Sequence, residues 1–138
     1  MRKIRIALGS NDGEKIAPSH MGMAADFYIY DLSEDGCSSF VGKRENTSPK
    51  VEGKHGLPEK MKAVMEIFKD ADVIVGRRKS PNFRNIGAST KFQPVVVETD
   101  KISAIMEQLA HRFDEIYGLV EQRRKGHRSA EIPRLKRR

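Results

Sequence analysis

The 138-residue sequence carries four histidines, one cysteine and six methionines. These are the side chains able to hold a soft or borderline metal. His20, in Pro18-Ser19-His20-Met21-Gly22, has the most suggestive setting. A neutral imidazole suits transition metals, and an ordinary histidine pKa of about 6.5 leaves it mostly deprotonated at neutral pH. The competing reading is a helix-start histidine held by backbone hydrogen bonds. Met21 and Met23 offer soft second ligands, although methionine beside a short helix more often fills a core. A second constellation is cationic. Arg77-Arg78-Lys79 directly follows an apolar run, so an anion there would meet three positive charges and backbone donors; the competing reading is a solvated charged loop. His55 lies in the polar Lys54-His55-Gly56, His111 is off the apolar stripe of a long helical segment, and His127 sits in a basic terminal stretch. All three are weaker candidates.

Several enzyme classes lack their residues. The stretch 9–16 has no Lys-Ser/Thr ending of a phosphate-binding loop, and no Gly-x-Gly-x-x-Gly fingerprint is present. A two-metal nuclease needs clustered carboxylates, yet residues 4–8 carry no acid, and Asp12, Asp26 and Asp72 are scattered. Ser19 and His20 are adjacent with no triad order around them, which gives nucleophilic catalysis little support.

The formal net charge of +7 invites a nucleic-acid reading, so its location matters. Residues 1–122 hold 18 basic and 18 acidic side chains, whereas residues 123–138 hold 8 basic side chains and one acid, Glu131. The whole excess lies in the terminal segment. A single cysteine excludes an intramolecular disulfide and thiolate-only metal sites within one chain. No apolar run approaches the roughly 18 residues of a membrane helix, and the start lacks the apolar stretch of a signal peptide. The expectation is a soluble, cytoplasmic protein of one domain with no membrane partner.

The elements that must position these residues can be read from periodicity. Residues 4–8 (Ile-Arg-Ile-Ala-Leu) form a strand with a turn at Gly9-Ser10-Asn11-Asp12-Gly13 behind it. A brief helical stretch capped by Ser19 runs to residue 25, then residues 27–32 and 37–45 form a hairpin with Cys37 at its tip. Residues 46–56 are a polar loop. Apolar residues recur at helical spacing over 57–68. Residues 71–76 and 94–98 read as buried strands, and Asn82 to Ala88 as a short helix between them. One long helix follows, capped by Thr99 or Asp100, with a stripe of Ile102, Ile105, Met106, Leu109, Phe113, Ile116 and Val120. This order favours a five-stranded mixed sheet with helices on both faces. The strands at 4–8 and 72–76 are central, so the loops at Ser10, Asn11 and Arg77 face each other at the carboxyl edge. An antiparallel hairpin carries Cys37 to the opposite edge.

Residues 6–30, with the Ser-His-Met-Gly turn and Phe27-Tyr28-Ile29-Tyr30, resemble the opening of the dinitrogenase iron–molybdenum cofactor biosynthesis family, which includes small cofactor carriers and accessory domains. The resemblance continues through Asp72-Val73-Ile74-Val75-Gly76, residues 94–98 and the final helix, and covers residues 3 to 122. It implies a ribonuclease H-like three-layer α/β/α fold. It also implies a non-enzymatic carrier of an iron–molybdenum cofactor or an iron–sulfur precursor cluster, working between metal-cluster donor and acceptor proteins. His20 would be the metal ligand, with Arg77, Arg78, Lys79, Ser10 and Asn11 around the cluster. Two loops depart from the family pattern: Met21 replaces its aromatic, and Gly76-Arg77-Arg78-Lys79-Ser80 replaces a glycine-rich turn. Residues 123–138 lie beyond the resemblance. Gly126 and Pro133 interrupt any helix there, so the segment is expected to be a largely disordered basic tail. It gives the alternative reading, a module binding nucleic acid or an acidic partner through that tail.

Overall fold

In a computed structural model, described here over residues 1–18, 21–48, 58–77 and 81–136, the apolar runs and stripes become a sheet between two helical layers. The elements are β1 (Lys3–Ser10), a 3-10 turn (Met21–Met23), β2 (Asp26–Ser33), β3 (Ser38–Glu45), α1 (Pro58–Ile67), β4 (Val73–Gly76), α2 (Pro81–Ser89), β5 (Gln93–Val97), α3 (Ile102–His111), α4 (Phe113–Arg124) and β6 (Arg134–Leu135). The strand order is β3-β2-β1-β4-β5-β6. β1 pairs antiparallel with β2 and parallel with β4, which places the two expected strands at the centre. β4 and β5 are buried throughout, as strands covered on both faces must be.

Alternation along β1 sends Ile4, Ile6 and Leu8 to one face and Ala7 to the other. The first face packs against Ile102, Ile105, Met106, Leu109, Phe113, Ile116 and Val120, so every residue of the sequence stripe is in that core. The second face packs Ala7, Phe27, Ile29 and Ile74 against Val64 and Phe68 of the α1 region and Phe83 and Ile86 of α2. Below α1, Asp70 accepts hydrogen bonds from Arg44 of β3 and Arg5 of β1, while Arg5 also clasps Asp31 of β2 at 2.8 and 3.1 Å.

Two expectations are corrected. The long helix is two, α3 and α4, because Arg112 adopts φ −111° and ψ 24°. The apolar stripe crosses that break without losing phase. The sheet has six strands rather than five, because Arg134–Leu135 adds a parallel edge strand beside β5. Residues 134–135 lie in the segment expected to be disordered. Instead its backbone is tied down. The Val96 and Glu98 N–H groups donate to the Pro133 and Leu135 carbonyls at 2.9 and 3.0 Å. Gln93, Gln108, Arg112 and Arg123 donate to the carbonyls of Glu131, Lys136, Arg134 and Ser129. Leu135 is 2% exposed. An unpaired β5 edge in need of donors and acceptors, with one apolar residue to bury, outweighs the repulsion of a basic segment.

Candidate functional site

The 10–16 loop is built around two side chains. Ser10 is fully buried; its hydroxyl donates to the Lys15 carbonyl and accepts the Gly13 N–H at 2.9 Å. Asp12 Oδ1 accepts the N–H groups of Glu14 and Lys15, both at 2.9 Å. Those two donors, Lys15 first, hold the Asp12 carboxyl below its ordinary pKa. Gly13 closes the turn at φ +80°, and a side chain on it would meet the Tyr28 hydroxyl. Ser10, named in the sequence as a ligand contact, shapes the loop through these bonds.

Asn11 is exposed and its Oδ1 accepts the Ala25 N–H at 2.9 Å, which ties the loop to the exit of the 3-10 turn. From the far side, Asn46 at the end of β3 donates to the Gly22 and Ala24 carbonyls at 2.9 and 2.7 Å. Buried Lys60 of α1 reaches Ser48 at 3.2 Å. A side chain on Gly22 would come within 3.7 Å of the Lys60 stem.

Arg77 follows β4 directly, at the same edge as Asn11. Asn11, Asp12, Lys15, Arg77 and Asp100 line one cavity of about 200 Å³ there. Lys15 and Asp100 stand 4.0 Å apart across it, while the Arg77 guanidinium has no ion-pair or hydrogen-bond partner among the described residues. Two of the sequence-named residues, Asn11 and Arg77, are thus brought together. His20, Arg78, Lys79 and His55 lie outside the described residues. Lys15, Asp100, Asn46 and Lys60 escaped sequence reasoning because no motif marks them; the turn-forming Asp12-Gly13 and the strand end at Glu45 were the signals available.

Cys37 is exposed at the tip of the hairpin. The register pairs Ser33 with Lys3 and Asp26 with Ser10, so this tip lies at the amino end of β1, about 23 Å along the strand from Ser10 at 3.3 Å per residue. Asp72 is turned to structural use at the amino end of β4, where it accepts the Arg5 N–H at 2.9 Å. No group of three or more His, Cys, Asp or Glu side chains is placed to hold a metal among the described residues. No helix among them is long and apolar enough to cross a membrane.

The family described as dinitrogenase iron-molybdenum cofactor matches residues 2–112. The chain belongs to that family. The match takes in all strands from β1 to β5, both loops of the candidate site, and α3; it stops before α4 and β6. No curated protein and no solved structure gives a match. As a member of the dinitrogenase iron-molybdenum cofactor family, the chain is linked to nitrogenase-cofactor biology, and its carboxyl-edge cavity lies within the matched region. The basic segment on which the nucleic-acid alternative rests lies outside it. Part of that segment's charge is engaged at home: Arg123 is buried, Arg124 pairs with Glu121 and Asp72, and Arg134 pairs with Glu98.

Proposed function

We propose that this protein binds and hands on an iron–sulfur or iron–molybdenum-type cluster, or a precursor of one, and catalyses no reaction itself. The observation that carries this reading is the cavity shared by Asn11 and Arg77, from loops that follow two neighbouring parallel strands, with the Arg77 guanidinium unpaired among the described residues. An anionic cluster entering there gains a charge-assisted contact without breaking an existing ion pair. The Asn11 side chain and the Asp12-braced turn set the rim. His20, two residues beyond Pro18, is the proposed ligand through its imidazole, and Arg78 and Lys79 extend the cationic side. The donors described suit a guest held at its edge by few ligands and released to an acceptor, since a resident metal would call for a fuller ligand set. The ribonuclease H-like description of the fold belongs to the same reading, supported by the antiparallel β1–β3 meander continued by parallel β4 and β5.

The test is anaerobic reconstitution with iron, sulfide and molybdate, followed by metal analysis and visible absorption. Wild type should acquire a stoichiometric chromophore. His20→Ala should lose it, and Arg77→Ala with Arg78→Ala should weaken binding in a salt-sensitive way, because exposed charges are screened over about 8 Å at physiological ionic strength. Cys37→Ser should leave occupancy unchanged. A colourless wild type, or equal occupancy in wild type and His20→Ala, would refute the reading.

A further inference from the structure

On the other side of the 10–16 loop, a groove of about 720 Å³ runs between α3 and the β2–β3 hairpin. It exists because the helical layer on this face stops short. α3 and α4 cover the inner strands, whereas β3 is exposed along most of its length. The helical wall consists of two α3 ridges at four-residue spacing: Ile102, Met106 and Ala110 lie deep, and Ser103, Glu107 and His111 lie outside. Across the groove stands Tyr30, and Phe40, 55% exposed, leans on the Tyr28 and Tyr30 rings. A large exposed ring beside a groove with a partly apolar floor suits a surface that another protein covers.

The charges of the groove are divided between its ends. Lys15 and Lys101, paired backbone to backbone, stand with Glu14 at the amino end of α3. Glu107 stands toward the carboxyl end, 3.9 Å from His111. Lys15 is already paired with Asp100 at 4.0 Å, so Lys101 is the cation at the amino end without an ion-pair partner among the described residues; Glu107 is the anion toward the carboxyl end, and the macrodipole of the helix has the same sense. An occupant satisfies both Lys101 and Glu107 if it carries the same order of charges and runs antiparallel to α3. The α3 helix of a second copy is such an element.

We propose that two copies of this chain meet through this groove, α3 against α3 antiparallel, with Lys101 of each facing the partner's Glu107. Lys101 has no ion-pair partner among the described residues. It is six residues from Glu107, about 9 Å along the axis, so both contacts close together when the helices cross midway between the two. Ser103, which lines the groove near that midpoint, is small and lets the backbones approach there. Phe40, which leans on groove-lining Tyr30, then loses exposure against the partner. This inference is independent of the proposed cargo and is tested on metal-free protein.

The experiment is sedimentation velocity on the full chain with three variants, Lys101→Glu, Glu107→Lys and the double exchange. Wild type should dimerise. Each single reversal turns two attractive contacts into two repulsive ones by symmetry and should weaken the dimer about 10-fold or more. The double exchange should restore it, and an equimolar mixture of the two single variants should form a mixed dimer, since every charge then faces its opposite. Thermal melting keeps the comparison to folded proteins, and both positions are exposed. A wild type that stays monomeric up to about 0.1 mM overturns the proposal and leaves the groove to another occupant. So does a dimer indifferent to the single reversals, and so do single variants that fail to recombine.

Discussion

Arg123 and Arg124 are consecutive in sequence and opposite in consequence, which makes them a sharp test of the packing of the terminal segment. Arg123 is 6% exposed. Its guanidinium donates to Gln93 Oε1 at 2.8 Å, to the Gly87 and Thr90 carbonyls at 2.8 and 3.1 Å, and to the Ser129 carbonyl at 3.2 Å. It therefore joins the end of α2, the start of β5 and the segment leading to β6. No carboxylate balances it among these contacts, and burial, then repulsion from Arg128, pushes its pKa down. Arginine nonetheless stays charged over the working pH range. Arg123→Ala leaves several partly buried acceptors without donors, at about 1–3 kcal/mol each before water enters. Recovery of the desolvation cost offsets part of this, so a net loss of about 3 kcal/mol is expected. At about 3–4 °C per kcal/mol for a domain of this length, the melting temperature should fall by about 10 °C. Arg124→Ala removes partly exposed pairs with Glu121 and Asp72 and a contact over the Tyr117 ring and should cost about 1 kcal/mol. Parallel calorimetric melts at neutral pH decide the matter. Equal shifts for the two variants would refute the assignment of Arg123 as the clamp of the terminal segment.

Ending the chain after Gln122 should destabilise the fold more than Arg123→Ala does, since it also removes Leu135 and the β5–β6 pairing; an unchanged melt would restore a separable basic arm. The Arg44 guanidinium, helped by Arg5, holds the Asp70 carboxyl well below the usual carboxylate range, so its contribution is present above the unfolded pKa of about 4 and is lost as pH falls below it. Asp70→Asn should therefore lower stability at pH 7, and its deficit against wild type should shrink in urea titrations below pH 4. Gly76→Ala would set a methyl 3.1 Å from the Phe83 ring; this overpacking at the foot of the candidate site should cost about 1–3 kcal/mol, readable as a lower melting temperature.

Much of the fold was legible because burial leaves a period in the sequence. The all-apolar Val73-Ile74-Val75 and Val95-Val96-Val97 read as strands covered on both faces, and the stripe from Ile102 to Val120 named one helical layer residue by residue. The break at Arg112 was invisible because a local dihedral change leaves the spacing of the stripe intact. β6 was missed for a different reason. Two residues carry no period, and composition describes a segment's average, whereas β6 depends on Leu135 finding a place and on carbonyls that meet donors from Gln93, Gln108, Arg112 and Arg123. At the candidate site, Arg77 was readable because it follows a buried strand. That Ser10 closes its own loop was not readable, because a polar residue in a turn looks the same in sequence whether it faces outward or inward. Lys15 and Asp100 meet across the cavity from distant parts of the chain, a proximity created by the fold alone.

The lateness of β6 in the chain has a consequence for how the protein is made. Residues 134–135 emerge from the ribosome 37 residues after the end of β5, about 2–7 s later at roughly 5–20 residues per second. During that interval the outer edge of Gln93-Pro94-Val95-Val96-Val97 has no strand beside it. Such an apolar edge is an invitation to pairing with other nascent chains. Pro94, which lacks an N–H, falls inside this stretch and removes one donor from it. Completion of the sheet is thus a late event in biogenesis, and a stalled or prematurely released chain would be vulnerable to aggregation even though nearly all of its hydrophobic core has already been translated.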